Sequence, residues 1–99
     1  MTTLHIVRQS AFTTNDFYQC IQTLGNKDCI VFADDGCYNL QHYLINTMNT
    51  EKNKNIQLIV LSSHAQARAI TINTELCTEI DMTALVSLTF NNDRVITWQ

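Results

Sequence analysis

Segments of strand character alternate with segments of helix character down the whole chain, the run CIVFA suits a strand buried on both faces, and neither a repeat nor a proline interrupts the pattern. These observations predict an α/β fold: a three-layer sandwich in which a mostly parallel five-stranded sheet carries helices on both faces. Ninety-nine residues with 45% hydrophobic content fill one core and not two, so residues 1–99 are expected to form a single domain.

Strands are expected at 2–8 (TTLHIVR), 28–33 (DCIVFA), 56–61 (IQLIVL), about 76–80 (LCTEI) and 94–98 (RVITW). The first helix should begin near TTND, where Thr13 or Thr14 can accept a backbone N–H as a cap and Asp16 suits the positive end of the dipole; Gly25 then ends it. Phe17, Ile21 and Leu24 recur at helical spacing and mark its sheet-facing side. Cys20 lies about 60° from Phe17 on that wheel, which places it at the edge of the buried face. A second helix is expected from about Cys37 to Met48, because Cys37, Leu40, Leu44 and Met48 are spaced by three, four and four, with TEKNKN as a polar connection after it. The third, around SSHAQARAI, is short and alanine-rich. The fourth, DMTALVSLTF, starts with Asp81 as its cap and should bury Leu85, Val86 and Thr89 or Leu88.

Composition excludes several classes. Six basic against nine acidic residues give a net charge of −3, and no basic run exists, so the electrostatic footprint of direct nucleic-acid binding is missing. The start MTTLHIVRQS has neither the charged opening nor the apolar core of a signal peptide, and no apolar run is long enough to span a bilayer, so the expected location is cytoplasmic with no membrane contact. With only Gly25 and Gly36, the chain holds no P-loop and no G-x-G-x-x-G; it has no G-x-S-x-G elbow either, and no cofactor is expected. No C-x-x-C occurs, Cys37 and His42 stand about 140° apart on a helical wheel, and His5, His42 and His64 form no recognisable ligand set, so no metal is expected.

Four cysteines at 20, 29, 37 and 77 read as free thiols in a reducing compartment. Cys37 would sit in the first turn of a helix, which favours a thiolate, but it opens an apolar stripe and follows Asp34 and Asp35, whose charges oppose one. Packing is the better reading. Cys29, flanked by Ile30, Val31 and Phe32, is structural, and Cys77 stays open.

The pieces LHIVRQSA at 4–11, CI at 20–21, FADDGCY at 32–38, LSSHAQARA at 61–69 and DMTALVSLTF with a late TW at 81–98, taken in order, resemble the DsrH/TusB family over nearly the whole chain. Leu4, His5, Ser10, Asp35, Gly36, Ala67, Arg68, Asp81, Val86, Leu88 and Trp98 fit its pattern. Ala11 stands where the family has proline, Ala69 where it has glycine, Met82 for tyrosine and Leu85 for phenylalanine. The resemblance implies a small α/β subunit of a sulfur relay that hands persulfide sulfur between cysteines. Its expected partners are two paralogous subunits, DsrE-like and DsrF-like, in a hexamer with two copies of each, and a downstream DsrC/TusE-like sulfur acceptor. In the TusBCD version the sulfur is destined for 2-thiouridine at the tRNA wobble position; in the DsrEFH version it belongs to intracellular sulfur oxidation.

The principal acceptor cysteine of such complexes belongs to another subunit. Cys20 nevertheless falls where DsrH-type members carry a cysteine, which makes it the candidate persulfide thiol, expected to react ahead of Cys37 and Cys77 with Cys29 last; the opposing reading is a core-edge residue. Two rival functions stay open beside the relay subunit. One is a stand-alone thiol enzyme or carrier, the other a homo-oligomeric binding module without sulfur chemistry.

Overall fold

The computed structural model describes residues 2–45 and 56–98. In chain order these form β1 (Thr3–Val7), α1 (Asp16–Thr23), β2 (Cys29–Phe32), a 3-10 helix (Asp34–Gln41), β3 (Gln57–Leu61), α2 (Ser62–Ala67), β4 (Thr78–Ile80), α3 (Met82–Asn91) and β5 (Arg94–Trp98). The five strands make one sheet in the order β4-β3-β2-β1-β5, and all its pairings are parallel. β2 is the middle strand and all of its residues are buried, as the unbroken apolar run requires of a strand covered on both faces.

Alternation along the strands sorts the core into two clusters. Val7, Ile30, Phe32, Leu58 and Val60 pack with Phe17, Cys20 and Leu24 from α1 and its end, with Cys37 of the 3-10 helix and with Ala65 of α2. Leu4, Cys29, Val31, Ile59 and Leu61 form the other cluster, against which Leu85 and Leu88 of α3 pack half-buried. Asp81 caps α3 as expected, its carboxylate accepting from Ala84 N at 2.8 Å. At α1 the capping residue is Asn15 and makes no side-chain cap bond, while Thr14 Oγ1 accepts from Asp16 N at 3.4 Å.

Three expectations are corrected. Cys20 is not at the edge of the α1 face: it is 0% exposed, because the helix is rotated so that Phe17, Cys20 and Leu24 line the buried ridge and Ile21 stands beside it. Val86 is not buried but 51% exposed, since α3 turns Leu85 and Leu88 inward and leaves Met82, Val86 and Phe90 outside.

The third concerns the segment after β2, which is a 3-10 helix over Asp34–Gln41 in place of the first half of an α-helix. Its tighter hydrogen bonds, Gly36 N to Ala33 O at 2.9 Å and His42 N to Asn39 O at 3.1 Å, follow from two anchors. Gly36 is pressed against the end of β1, where a Cβ would lie 1.9 Å from Val7 O. Asn39 is fully buried and clamps the loop after β1, accepting from Ala11 N at 2.7 Å and donating to Gln9 O at 3.1 Å. The Met48 end of the expected helix lies outside the described residues.

Candidate functional site

In a parallel sheet the carboxyl ends of the strands are where loops from neighbouring strands meet, and ligands of open α/β folds are bound there. Three such ends converge here. β1 runs into Arg8, β2 into Asp34 and Asp35, and β3 directly into α2 with His64 in its first turn. Asp34 adopts the left-handed conformation with φ 50°, which aspartate tolerates better than most residues. That turn of the chain aims its backbone N–H at His64 Nδ1, 2.9 Å away.

A nitrogen that accepts from a backbone N–H carries no proton, so the neutral His64 ring keeps its proton on Nε2. Asp34 Oδ1 lies 3.6 Å from the same Nδ1. This contact is not an ion pair, because two lone pairs face each other across it. The partner that holds Asp34 is Arg8, whose Nε donates to Oδ2 at 2.7 Å and keeps the carboxyl below the usual carboxylate range.

A second pair stands beside the first. Arg68, just past the end of α2, donates from Nε to Asp35 Oδ1 at 3.0 Å and from a terminal nitrogen to His64 O at 3.2 Å. The hydrogen bond to Asp35 raises the already high Arg68 pKa. α2 ends in a turn in which Ala69, at φ 55°, donates to Gln66 O and Ile70 donates to Ala65 O. These two bonds are the Schellman pattern that usually carries glycine at the left-handed residue. It fixes the direction in which Arg68 leaves the helix.

The rim therefore holds two arginines and two carboxylates in balance, with one imidazole N–H among them. It can recognise a polar partner surface. It holds no presented nucleophile, because all four cysteines are unpaired and buried. Burial, with Asp28 adding to it, pushes the Cys20 thiol up to about 12. Cys37 is 0% exposed and its Sγ–H is directed at Phe32 O, 3.7 Å away. Burial raises it to about 11 although Arg68 pulls the other way. Cys29 and Cys77 are raised by burial as well. Packing was the better reading of Cys37 and Cys29, and the expected accessibility of Cys20 is absent in this conformation. No group of three or more His, Cys, Asp or Glu side chains among the described residues is arranged to hold a metal.

Sequence reasoning reached Asp35, Gly36 and Arg68 through the family pattern. It missed Arg8, Asp34 and His64 as one assembly, because the parallel register that gathers them has no local signature. A family model described as "DsrH like protein" matches residues 9–95. A search of curated proteins returns no match.

Proposed function

Because the chain belongs to the DsrH-like family, we propose that it serves as a subunit of a sulfur relay, assembled with two paralogous DsrE-like and DsrF-like subunits, and that the relayed sulfur is destined for 2-thiouridine at the tRNA wobble position. The observation that carries the subunit reading is a mismatch between chemistry and surface. Every thiol is buried and protonated, while Met82, Val86 and Phe90 on α3 and Val95 on β5 are exposed. A chain that keeps its nucleophiles inside while several large apolar side chains on α3 and β5 stand outside is suited to shaping an assembly whose working thiol belongs to a neighbour.

β5 adds to this reading. Among the described residues it is an edge strand paired to β1 alone, which leaves one row of its backbone groups for another chain. The net charge of −3 and the lack of a basic run favour contact with tRNA through other proteins, with a DsrC/TusE-like acceptor as the next carrier. Cys20 remains the residue to examine as a persulfide thiol inside the assembled complex, where α1 would have to lift from the sheet to present it.

The test is co-expression with the two paralogous subunits followed by native mass spectrometry. A hexamer with two copies of each subunit is expected, and a lone monomer under all conditions would overturn the proposal. The destination is read separately, by nucleoside analysis of tRNA from a strain lacking this chain. Loss of 2-thiouridine is expected; unchanged levels would point to sulfur oxidation instead.

A further inference from the structure

At the opposite, amino-terminal edge of the sheet lies a pocket of about 290 Å³ lined by Thr3, His5, Thr23, Gly25, Asp28, Arg94 and Ile96. The parallel register builds it: Thr3 pairs with Arg94 and His5 with Ile96, so these four side chains share one face, and the end of α1 closes the wall. Its volume is at the low end for ligand sites, the size of a single amino acid or similar small molecule.

The pocket is polarised. Asp28 accepts from Thr3 N at 3.1 Å, from Gly25 N at 2.8 Å and from His5 Nε2 at 3.1 Å. Burial opposes its ionisation, but those three donors outweigh burial and hold the carboxyl below its ordinary value. His5 does not supply a compensating charge. Trp98 Nε1–H can only donate, and it donates to His5 Nδ1 at 3.1 Å, so the single ring proton is on Nε2 and the pair keeps a net negative charge. With both ring nitrogens engaged, His5 has no lone pair left for base catalysis, and the site is one of binding. The negative end of the α1 dipole falls on the same wall, with no basic residue in its last turn, and Thr23 Oγ1 keeps a lone pair after donating to Cys20 O at 2.9 Å. Arg94, an exposed residue beside Thr3 in the register, lines the same pocket and brings the opposite charge.

We propose that this pocket binds a small zwitterion of the amino-acid class, its ammonium against Asp28, Thr23 and the end of α1, its carboxylate on Arg94, and a short apolar side chain on Ile96. One charge of each sign in one small molecule is what Asp28 and Arg94 complement together; an isolated amine or acid satisfies only one of them. The inference stands on this geometry and is independent of the relay reading.

The test is titration of the ¹⁵N-labelled full chain with L-valine and L-serine, and with ethylammonium and acetate as half-probes. Saturable shifts at the Thr3, Gly25 and Ile96 amides are expected with the amino acids, and affinity at least about tenfold weaker for either half-probe. Arg94→Gln, a change at an exposed position that leaves the core intact, should weaken L-valine by at least about tenfold. Arg94→Glu should reverse the preference toward 1,3-diaminopropane. Absence of saturable shifts, half-probes binding as well as amino acids, or L-valine affinity unchanged in Arg94→Gln would each overturn the proposal.

Discussion

The indole N–H of Trp98 sits 3.1 Å from Nδ1 of His5, while the other ring nitrogen of His5 faces Asp28 Oδ2 at the same distance. One imidazole thus ties the last strand to the beginning of β2, and a single proton assignment satisfies both bonds. His5 is 2% exposed, so no solvent replaces a lost donor.

Trp98→Phe keeps an aromatic ring in place, removes the donor and trims part of a half-buried indole that packs on the core. It leaves His5 Nδ1 buried without a partner, which costs about 1–3 kcal/mol. Urea unfolding should show that loss as a lower midpoint at unchanged slope.

Gly36→Ala places a methyl group 1.9 Å from Val7 O, a backbone atom fixed in the sheet. The 3-10 helix must move off β1 and take the Asp34–His64 contact with it. Destabilisation of about 3 kcal/mol or more is expected in thermal or urea unfolding.

Ala69→Gly should do the reverse. Ala69 holds φ 55° at the end of α2, a conformation that costs a non-glycine residue about 1–2 kcal/mol, part of which glycine returns through its freer unfolded chain. A gain of about 0.5–1 kcal/mol is expected by the same unfolding assay. This is the position where the resembled family carries glycine.

The buried thiols set the alkaline limit. Cys20 is held near 12 and Cys37 near 11, above the ordinary 9.0, so between those values the unfolded chain has released protons that the folded chain keeps. Unfolding is then favoured by rising pH, and stability should be level below about 8.5 and fall above it. Cys20→Ser and Cys37→Ser should flatten the fall, whatever they cost at neutral pH. At pH 7–8, iodoacetamide should modify Cys20 and Cys37 only at the rate of unfolding, read by peptide mass spectrometry.

Phe90 is 83% exposed on α3. Phe90→Ser should change the stability of the isolated chain by no more than about 0.5 kcal/mol. It should nevertheless reduce the fraction recovered in the co-expressed hexamer, measured by native mass spectrometry; recovery equal to that of the unchanged chain would remove α3 from the interface.

Much of the fold was legible because short-range pattern carried it. CIVFA announced a strand buried on both faces, Asp81 announced the start of α3, and the strand segments fell within two residues of those observed. What failed was decided by packing at a distance. Cys37, Leu40 and Leu44 have α-helical spacing, yet Gly36 against Val7 O and Asn39 against Gln9 and Ala11 force the tighter 3-10 path. Cys20 differs from Ile21 by one step round a wheel, and the docking of Phe17 on Phe32 fixes the rotation. The His5–Asp28–Trp98 chain was invisible because its members belong to three strands or strand ends, joined only by register.

The position of β5 beside β1 bears on how the protein is made. Thr3 pairs with Arg94 and Val7 with Trp98, so β1, made before the other four strands of this sheet, waits for β5, made after them, before its outer edge is closed. Parallel pairing across such a separation in sequence is slow, and during the wait the TLHIV backbone is open to strands of other nascent chains. A chain interrupted before Arg94 would lose more than an edge strand: His5 would lack its donor, and β1 would remain a template for aggregation. For β1 the vulnerable interval lasts until β5 docks.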